Sequence, residues 1–307
     1  MCAETIYPAI STQAGIGPGT GGFLLSSGDS RSLTGETPVT LAEFTLDSPT
    51  YQTYYDISLV DGYNLDVAII LLAGESGNST IETIPPNLTN PACIASTNSL
   101  ASPPYDPYAG NTSTEVLGTN SSFPLPFENT VSTNDVSRWC PWDLQLLPPT
   151  KPGDGVYPYP DDNIPRPVFD PCYSACAKFN KATDCCTGEW DSPNKCKPGL
   201  YSQNVKKVCP DAYSYAFDDQ TSTFIIPSGG GFEVAFCPKG RSTNILAAAS
   251  AALHQLAQGN VNASLAMGSN LDPMLTKGDG SSIRERRSWL GLATAVLTTL
   301  VLKVVWS

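Results

Sequence analysis

The pattern of hydrophobic and polar positions reads residues 1–72 as short strands, one of which, Val39 to Leu46, alternates with a period of two. Ile6 to Ile10 is an apolar stretch that ends in the glycine-rich run Gly15 to Gly22. That run lacks the Lys-Ser/Thr of a phosphate-binding loop and no helical pattern follows it, so it reads as a turn. In Val39 to Leu46, Ala42, Phe44 and Leu46 share one face while Leu41, Glu43 and Thr45 share the other. Tyr54 to Val60 is β-branched and aromatic and stops at Asp61-Gly62, a hairpin turn signal. Val67 to Leu72 is a continuous apolar strand. Periodicity then fades: residues 73–138 are rich in Ser, Thr, Asn and Pro and read as a long surface insertion with Cys93 as an anchor. Residues 139–209 form a cysteine- and proline-rich loop region. Phe224 to Ile226 and Phe232 to Phe236 are the closing strands, and Ile245 to Leu256 is a helix with Asn244 as its N-cap.

Composition supports a turn-rich β protein: of 307 residues 27 are Pro and 25 Gly, and 41% are hydrophobic, enough for a core. The net charge of −12 argues against nucleic acid and anionic headgroups as partners. It leaves neutral polyols, cations and basic proteins.

Six of the ten cysteines fall in the string Cys172-x3-Cys176-x8-Cys185-Cys186-x9-Cys196-x12-Cys209. They do not form paired CxxC units, and the single histidine, His254, lies far away, so disulfides in an oxidising compartment are expected and no metal or cofactor. No Ser-His-Asp or Cys-His site assembles around His254. Sequons at Asn78, Asn87, Asn111, Asn120 and Asn262 agree with export. No signal peptide is visible at Met1-Cys2-Ala3-Glu4, and the chain is read as lacking its natural start. Trp289 to Trp306 is an apolar tail behind a polar spacer and the small residues Gly278, Asp279, Gly280 and Ser281. This is the pattern of GPI attachment; the alternative is a transmembrane tail.

The run Cys209-Pro210-Asp211-Ala212-Tyr213-Ser214-Tyr215, the cysteine string before it and Phe236-Cys237-Pro238 after it resemble the thaumatin-like proteins. Further matches are Ile6 to Ala9, Gly28 to Ser32, Pro38 to Thr45 and Tyr55 to Asn64. The resemblance covers most of residues 2–238 and looks fungal rather than plant. It implies an all-β fold: a β-sandwich or flattened barrel with a disulfide-rich loop domain, a helix in a linker at 239–277 and the tail at 278–307 lying outside it. It also implies the pairs Cys2–Cys237, Cys93–Cys209, Cys140–Cys172, Cys176–Cys185 and Cys186–Cys196. The chain departs from the family between Thr34 and Gly35, where a stretch with a Gly-Arg-x-Trp-x-Arg type motif and a second cysteine group is missing.

The family carries an acidic cleft, and the matches here are Glu43, Asp56, Asp61 and Asp211; the family's Arg has no counterpart. Clustered carboxylates hydrogen-bond sugar hydroxyls, and one whose pKa is raised protonates a glycosidic oxygen while another serves as base or nucleophile. The resemblance implies a β-1,3-glucan ligand in cell-wall remodelling and, if catalysis occurs, Glu43 as acid with Asp61 as partner. A monomer is expected, reaching the membrane through a C-terminal GPI anchor or the hydrophobic tail. The residues also permit a plainer reading: Glu43 on a solvated strand face, Asp61-Gly62 as a turn, and Asp211 as a cap. Trp139, Trp142, Tyr157 and Tyr159 either stack on sugar rings or pack against the disulfide loops. A non-catalytic defence protein that perturbs membranes and a structural wall mannoprotein are the rival functions.

Overall fold

The computed structural model describes residues 37–46, 48–75, 79–110, 114–151, 153, 155–156 and 171–259, with the strand backbones of Leu24–Leu25 and Leu300–Lys303. Its strands are β1 (Leu24–Leu25), β2 (Leu41–Thr45), β3 (Gln52–Ser58), β4 (Val67–Leu72), β5 (Ala92–Cys93), β6 (Phe224–Pro227), β7 (Gly231–Phe236) and β8 (Leu300–Lys303). The helices are α1 (Ser79–Glu82), α2 (Thr133–Ser137), α3 (Ala175–Phe179), α4 (Ala182–Cys185), α5 (Leu200–Val208), α6 (Ile245–Ala248) and α7 (Ser250–Ala257). Among the described residues helical ones outnumber strand ones, so all-β describes the sheets of the core and not the loops around them.

Alternation does what the pattern predicts in β2 and β3. Ala42, Phe44, Tyr55 and Ile57 point inward and are buried, and the polar positions between them face outward. The two strands pair antiparallel, Glu43 opposite Asp56 and Phe44 opposite Tyr55, in a sheet ordered β1-β8-β2-β3-β6. A second sheet runs β5-β4-β7. The two meet through aromatic side chains: the Phe232 ring of β7 lies 5.0 Å from Phe44 and 4.9 Å from Tyr55. Burying each such ring is worth about 2–3 kcal/mol. The Tyr55 hydroxyl donates to the Thr89 carbonyl at 2.7 Å, so its polar end is satisfied inside the core.

Three expectations are corrected. Asp61-Gly62 does not close a hairpin, because β3 and β4 belong to different sheets. The turn instead carries the chain across the core, with Gly62 at φ +111° and no room for a side chain. Part of the supposed surface insertion is interior: Ile84, Leu88, Thr89, Asn90, Ala92, Ile94, Ala95 and Ser96 are buried. The C-terminal helix does not lie outside the domain. It bends at Ala249 into α6 and α7, Ile245 and Leu256 enter the main core, and Gln52 Nε2 donates to the Ala257 carbonyl at 2.6 Å. Asn244 makes no side-chain cap there.

The loop region is braced by Cys93–Cys209, Cys140–Cys172, Cys176–Cys185 and Cys186–Cys196, the same four pairs that the resemblance implies. Cys237 is disulfide-bonded as well, and its expected partner Cys2 lies outside the described residues. Ser174 caps α3 by accepting the Ala177 amide at 3.0 Å. In α5, Tyr201, Val205 and Val208 recur on one helical face and seal the loops to the sheets. β8 falls within the apolar tail expected to be an anchor signal; here its backbone pairs with Leu41 to Phe44 and covers that edge of β2.

Candidate functional site

The cross-strand register sets Glu43 beside Asp56 on the outward face of β2 and β3. Two carboxylates directly opposite each other repel unless they share a proton. Burial pushes the Asp56 carboxyl well above the usual carboxylate range, and the charge of Glu43, a hydrogen bond to Glu43 and the charge of Asp219 push the same way. Proton sharing is thereby favoured at this pair, and the upward shift falls on Asp56. One Asp56 oxygen, Oδ1, is buried and has no hydrogen-bond partner. A buried acceptor without a donor costs free energy.

Asp219 completes the group from the exposed turn before β6. It accepts the Tyr213 hydroxyl at 2.7 Å, and that hydroxyl lies 2.7 Å from Thr223 Oγ1. Tyr213 is itself stitched to β3, its amide donating to the Ile57 carbonyl at 2.8 Å and its carbonyl accepting the Leu59 amide at 2.9 Å. Burial raises the Tyr213 hydroxyl pKa, with further increases from Asp219 and Asp56, so it stays a donor at neutral pH.

Asp61 lies in the crossing turn, where its charge reaches Tyr201 and adds to the burial that raises that hydroxyl. The carboxyl that faces Glu43 across the strands is Asp56. Asp211 does not belong to the acidic face. It is buried, and its carboxylate accepts Thr243 Oγ1 at 2.6 Å, the Ile245 amide at 2.8 Å and the Leu246 amide at 2.9 Å. It caps α6, which is the plainer of the two readings of that residue. Sequence reasoning missed Asp219 and Tyr213. The signal was the doubled Asp218-Asp219 after the Tyr213-Ser214-Tyr215 run; of that pair Asp218 is structural, buried and bonded to Ser214, Thr221 and Lys206.

Trp139 and Trp142 are buried, and Trp139 donates to the Ala95 carbonyl at 3.1 Å and meets Tyr63 edge-on, so they pack and do not stack on ligand. Tyr157 and Tyr159 lie outside the described residues, as do Asn78, Asn111, Asn262, Gly278, Asp279, Gly280 and Ser281. Asn120 is an exposed acceptor, whereas Asn87 is half-buried with its Nδ2 donating to the Pro124 carbonyl at 3.2 Å, a poor position for a glycan. His254 is exposed and lies 2.9 Å from Gln258.

Two aromatic-cored sheets and disulfide-braced loops define the domain, with the Glu43–Asp56 pair on an outward sheet face. Residues 31–238 match the thaumatin family model, and the chain belongs to the thaumatin family. Pathogenesis-related protein 5 of Arabidopsis thaliana is 30% identical over 277 residues, covering 77% of this chain and 87% of that protein. Pathogenesis-related thaumatin-like protein 3.2 of Cryptomeria japonica is 32% identical over 203 residues, covering 66% of this chain and 56% of that protein. The PR5-like receptor kinase of Arabidopsis thaliana is 29% identical over 201 residues, and this chain spans 21% of its length.

Proposed function

We propose that this protein is a secreted, cell-surface thaumatin-family member that binds β-1,3-glucan on the Glu43–Asp56–Asp219 face and cleaves it at most slowly. The observation that carries the reading is the cross-strand Glu43–Asp56 pair beside Asp219, whose charges, with burial, push the Asp56 carboxyl well above the usual range. Glucan hydroxyls are neutral donors and suit a protein of net charge −12. Its raised pKa suits Asp56 to donate to a glycosidic oxygen with Glu43 as its partner, so the acid role falls to Asp56 and not to Glu43. The experiment is sedimentation with insoluble β-1,3-glucan, comparing wild type with Glu43→Gln and Asp56→Asn. Wild type should be retained and both variants released; a wild type that stays in the supernatant refutes the reading. Reducing-sugar release that persists in the double variant would remove the catalytic part.

A defence role is the second reading, favoured by the pathogenesis-related names of two relatives. It predicts growth inhibition of fungal cells that survives the same two substitutions. A GPI anchor added at Gly278 to Ser281 is part of the proposal; it would replace the tail together with β8, and a phosphatidylinositol-specific phospholipase should then release the protein from membranes, whereas the unprocessed chain keeps β8.

A further inference from the structure

A cavity of about 240 Å³ opens between the disulfide loops of α3 and α4 on one side and α5 on the other. Its back wall is Val60 and the Ser214–Ala216 segment. Seven large hydrophobic side chains are exposed among the described residues, and two of them, Phe179 (41%) and Leu200 (43%), line this one cavity. Exposed apolar side chains gathered in a concavity mark a contact surface. Phe179 belongs to the Ser174-capped helix α3, and the Lys181 ammonium lies 5.4 Å from its ring.

The walls are fixed before any ligand arrives. Cys176–Cys185 and Cys186–Cys196 tie the α3–α4 side, and the Tyr201 hydroxyl donates to the Leu59 carbonyl at 2.7 Å to hold α5. Polar groups are interspersed with the apolar ones: Asp143, Asp184 and Lys197 also line the cavity. Two carboxylates against one ammonium disfavour an anionic guest. The volume lies just below the roughly 300–1,000 Å³ of drug-sized sites, which suits a ligand of one ring. A pyranose presents such a mixture, with C–H faces for an aromatic ring and equatorial hydroxyls for carboxylates. The cavity also adjoins the acidic face: Ser214 in its wall donates to Asp218, the neighbour of Asp219, and follows Tyr213, whose hydroxyl donates to Asp219.

We propose that this cavity is a hexopyranose subsite, in which Phe179 and Leu200 contact the C–H face of one glucan residue while the neighbouring residues of the chain lie on the Glu43–Asp56–Asp219 face. The inference rests on the glucan reading and deepens it. The test uses Phe179→Ala and Leu200→Ala, surface substitutions that leave the disulfides and the core alone. Calorimetric titration with a β-1,3-gluco-oligosaccharide of six residues should show binding about five- to tenfold weaker in Phe179→Ala than in wild type, the worth of one ring contact. A second arm follows the Phe179 ring resonances on adding methyl β-D-glucopyranoside, which should shift them in wild type and in Asp56→Asn alike. Wild-type affinity in both surface variants overturns the subsite and leaves the glucan reading standing. Phe179 shifts without any binding of the longer glucan sink the glucan reading and support a hexopyranose site. Neither shifts nor binding overturns both.

Discussion

Asp211 separates a structural carboxylate from a ligand-binding one, and Asp211→Ala tests the distinction directly. The substitution removes the acceptor of three hydrogen bonds, from Thr243 Oγ1 at 2.6 Å and from the Ile245 and Leu246 amides at 2.8 and 2.9 Å. Thr243 and Ile245 are 0% exposed, so water is no substitute at the core of this cap. The Thr243 hydroxyl can fall back on the Ala92 carbonyl, 3.4 Å away, but the two backbone donors have no second acceptor of that kind. Each buried donor left unpaired costs about 1–3 kcal/mol. Against this, burial already pushes the Asp211 carboxyl above its ordinary value, so removing it relieves some desolvation. The balance is a loss of about 2–4 kcal/mol, a fall in Tm on the order of 10 °C for a domain of this size. Thermal unfolding by circular dichroism reads the stability, and glucan sedimentation well below the transition reads the site. Asp211→Asn, which keeps one acceptor oxygen, should fall between. An unchanged Tm in Asp211→Ala, or a fully folded variant that no longer sediments with glucan, would refute the assignment of Asp211 to the cap.

Asp56→Asn should melt above wild type at neutral pH and converge with it in acid. The folded pKa of Asp56 is raised, so its contribution to stability is full below the unfolded carboxylate value near about 4 and is lost as pH rises through the folded value. Melting curves of the two proteins that run parallel across pH would contradict the upward shift of Asp56. Arg241→Met removes a fully buried guanidinium that donates to the Glu128, Ala101 and Val131 carbonyls and pairs with Glu128 Oε2 at 2.5 Å. Urea unfolding should register a loss of about 3–5 kcal/mol, partly recovered by adding Glu128→Gln. Gly62→Ala should fail to accumulate as folded protein, because its Cβ would stand 2.6 Å from the Cys172 carbonyl oxygen; Gly74→Ala, with nothing within 4 Å, is the matched control. Deleting residues 300–307 uncovers the Leu41–Phe44 edge, so light scattering should report self-association. A variant that stays monodisperse would show that β8 is not what protects that edge.

The core strands were legible because burial there is carried by apolar side chains on one face, as Ala42 and Phe44 show. Residues 84–96 were not, since polar side chains do much of their interior work. Asn90 accepts the Leu71 amide at 3.1 Å and donates to the Leu117 carbonyl at 2.8 Å, and the Ser242 and Thr243 hydroxyls accept the Ile94 and Ala92 amides at 2.8 and 2.9 Å. A segment stitched inward by Asn, Ser and Thr has the composition of a solvated loop. Asp61-Gly62 misled for a related reason. The dipeptide specifies a tight reversal with positive φ but not whether the next strand returns to the same sheet. The better clue was Val67-Ala68-Ile69, apolar at successive positions and 0% exposed in each, the pattern of a strand covered on both faces and flanked here by β5 and β7.

The acidic face poses the same problem in sharper form, because a carboxylate looks alike in sequence whether it builds or binds. What tells them apart is how many donors the protein itself supplies. Asp66 receives the Tyr63 and Ser96 hydroxyls at 2.5 Å each and the Ala95 amide at 2.8 Å. Glu128 receives the Thr130 and Val131 amides and the Arg241 guanidinium. Asp211 and Asp218 are filled in the same way. All four are buried, and their oxygens are spent on backbone amides, hydroxyls and cations that hold the fold. Asp56 differs: its neighbour across the strand is another carboxyl, and its buried Oδ1 receives nothing. Stability alone favours replacing such a pair by hydroxyls or amides, and a carboxyl pair kept on an outward sheet face at that cost is the mark of a functional site and not of a structural one.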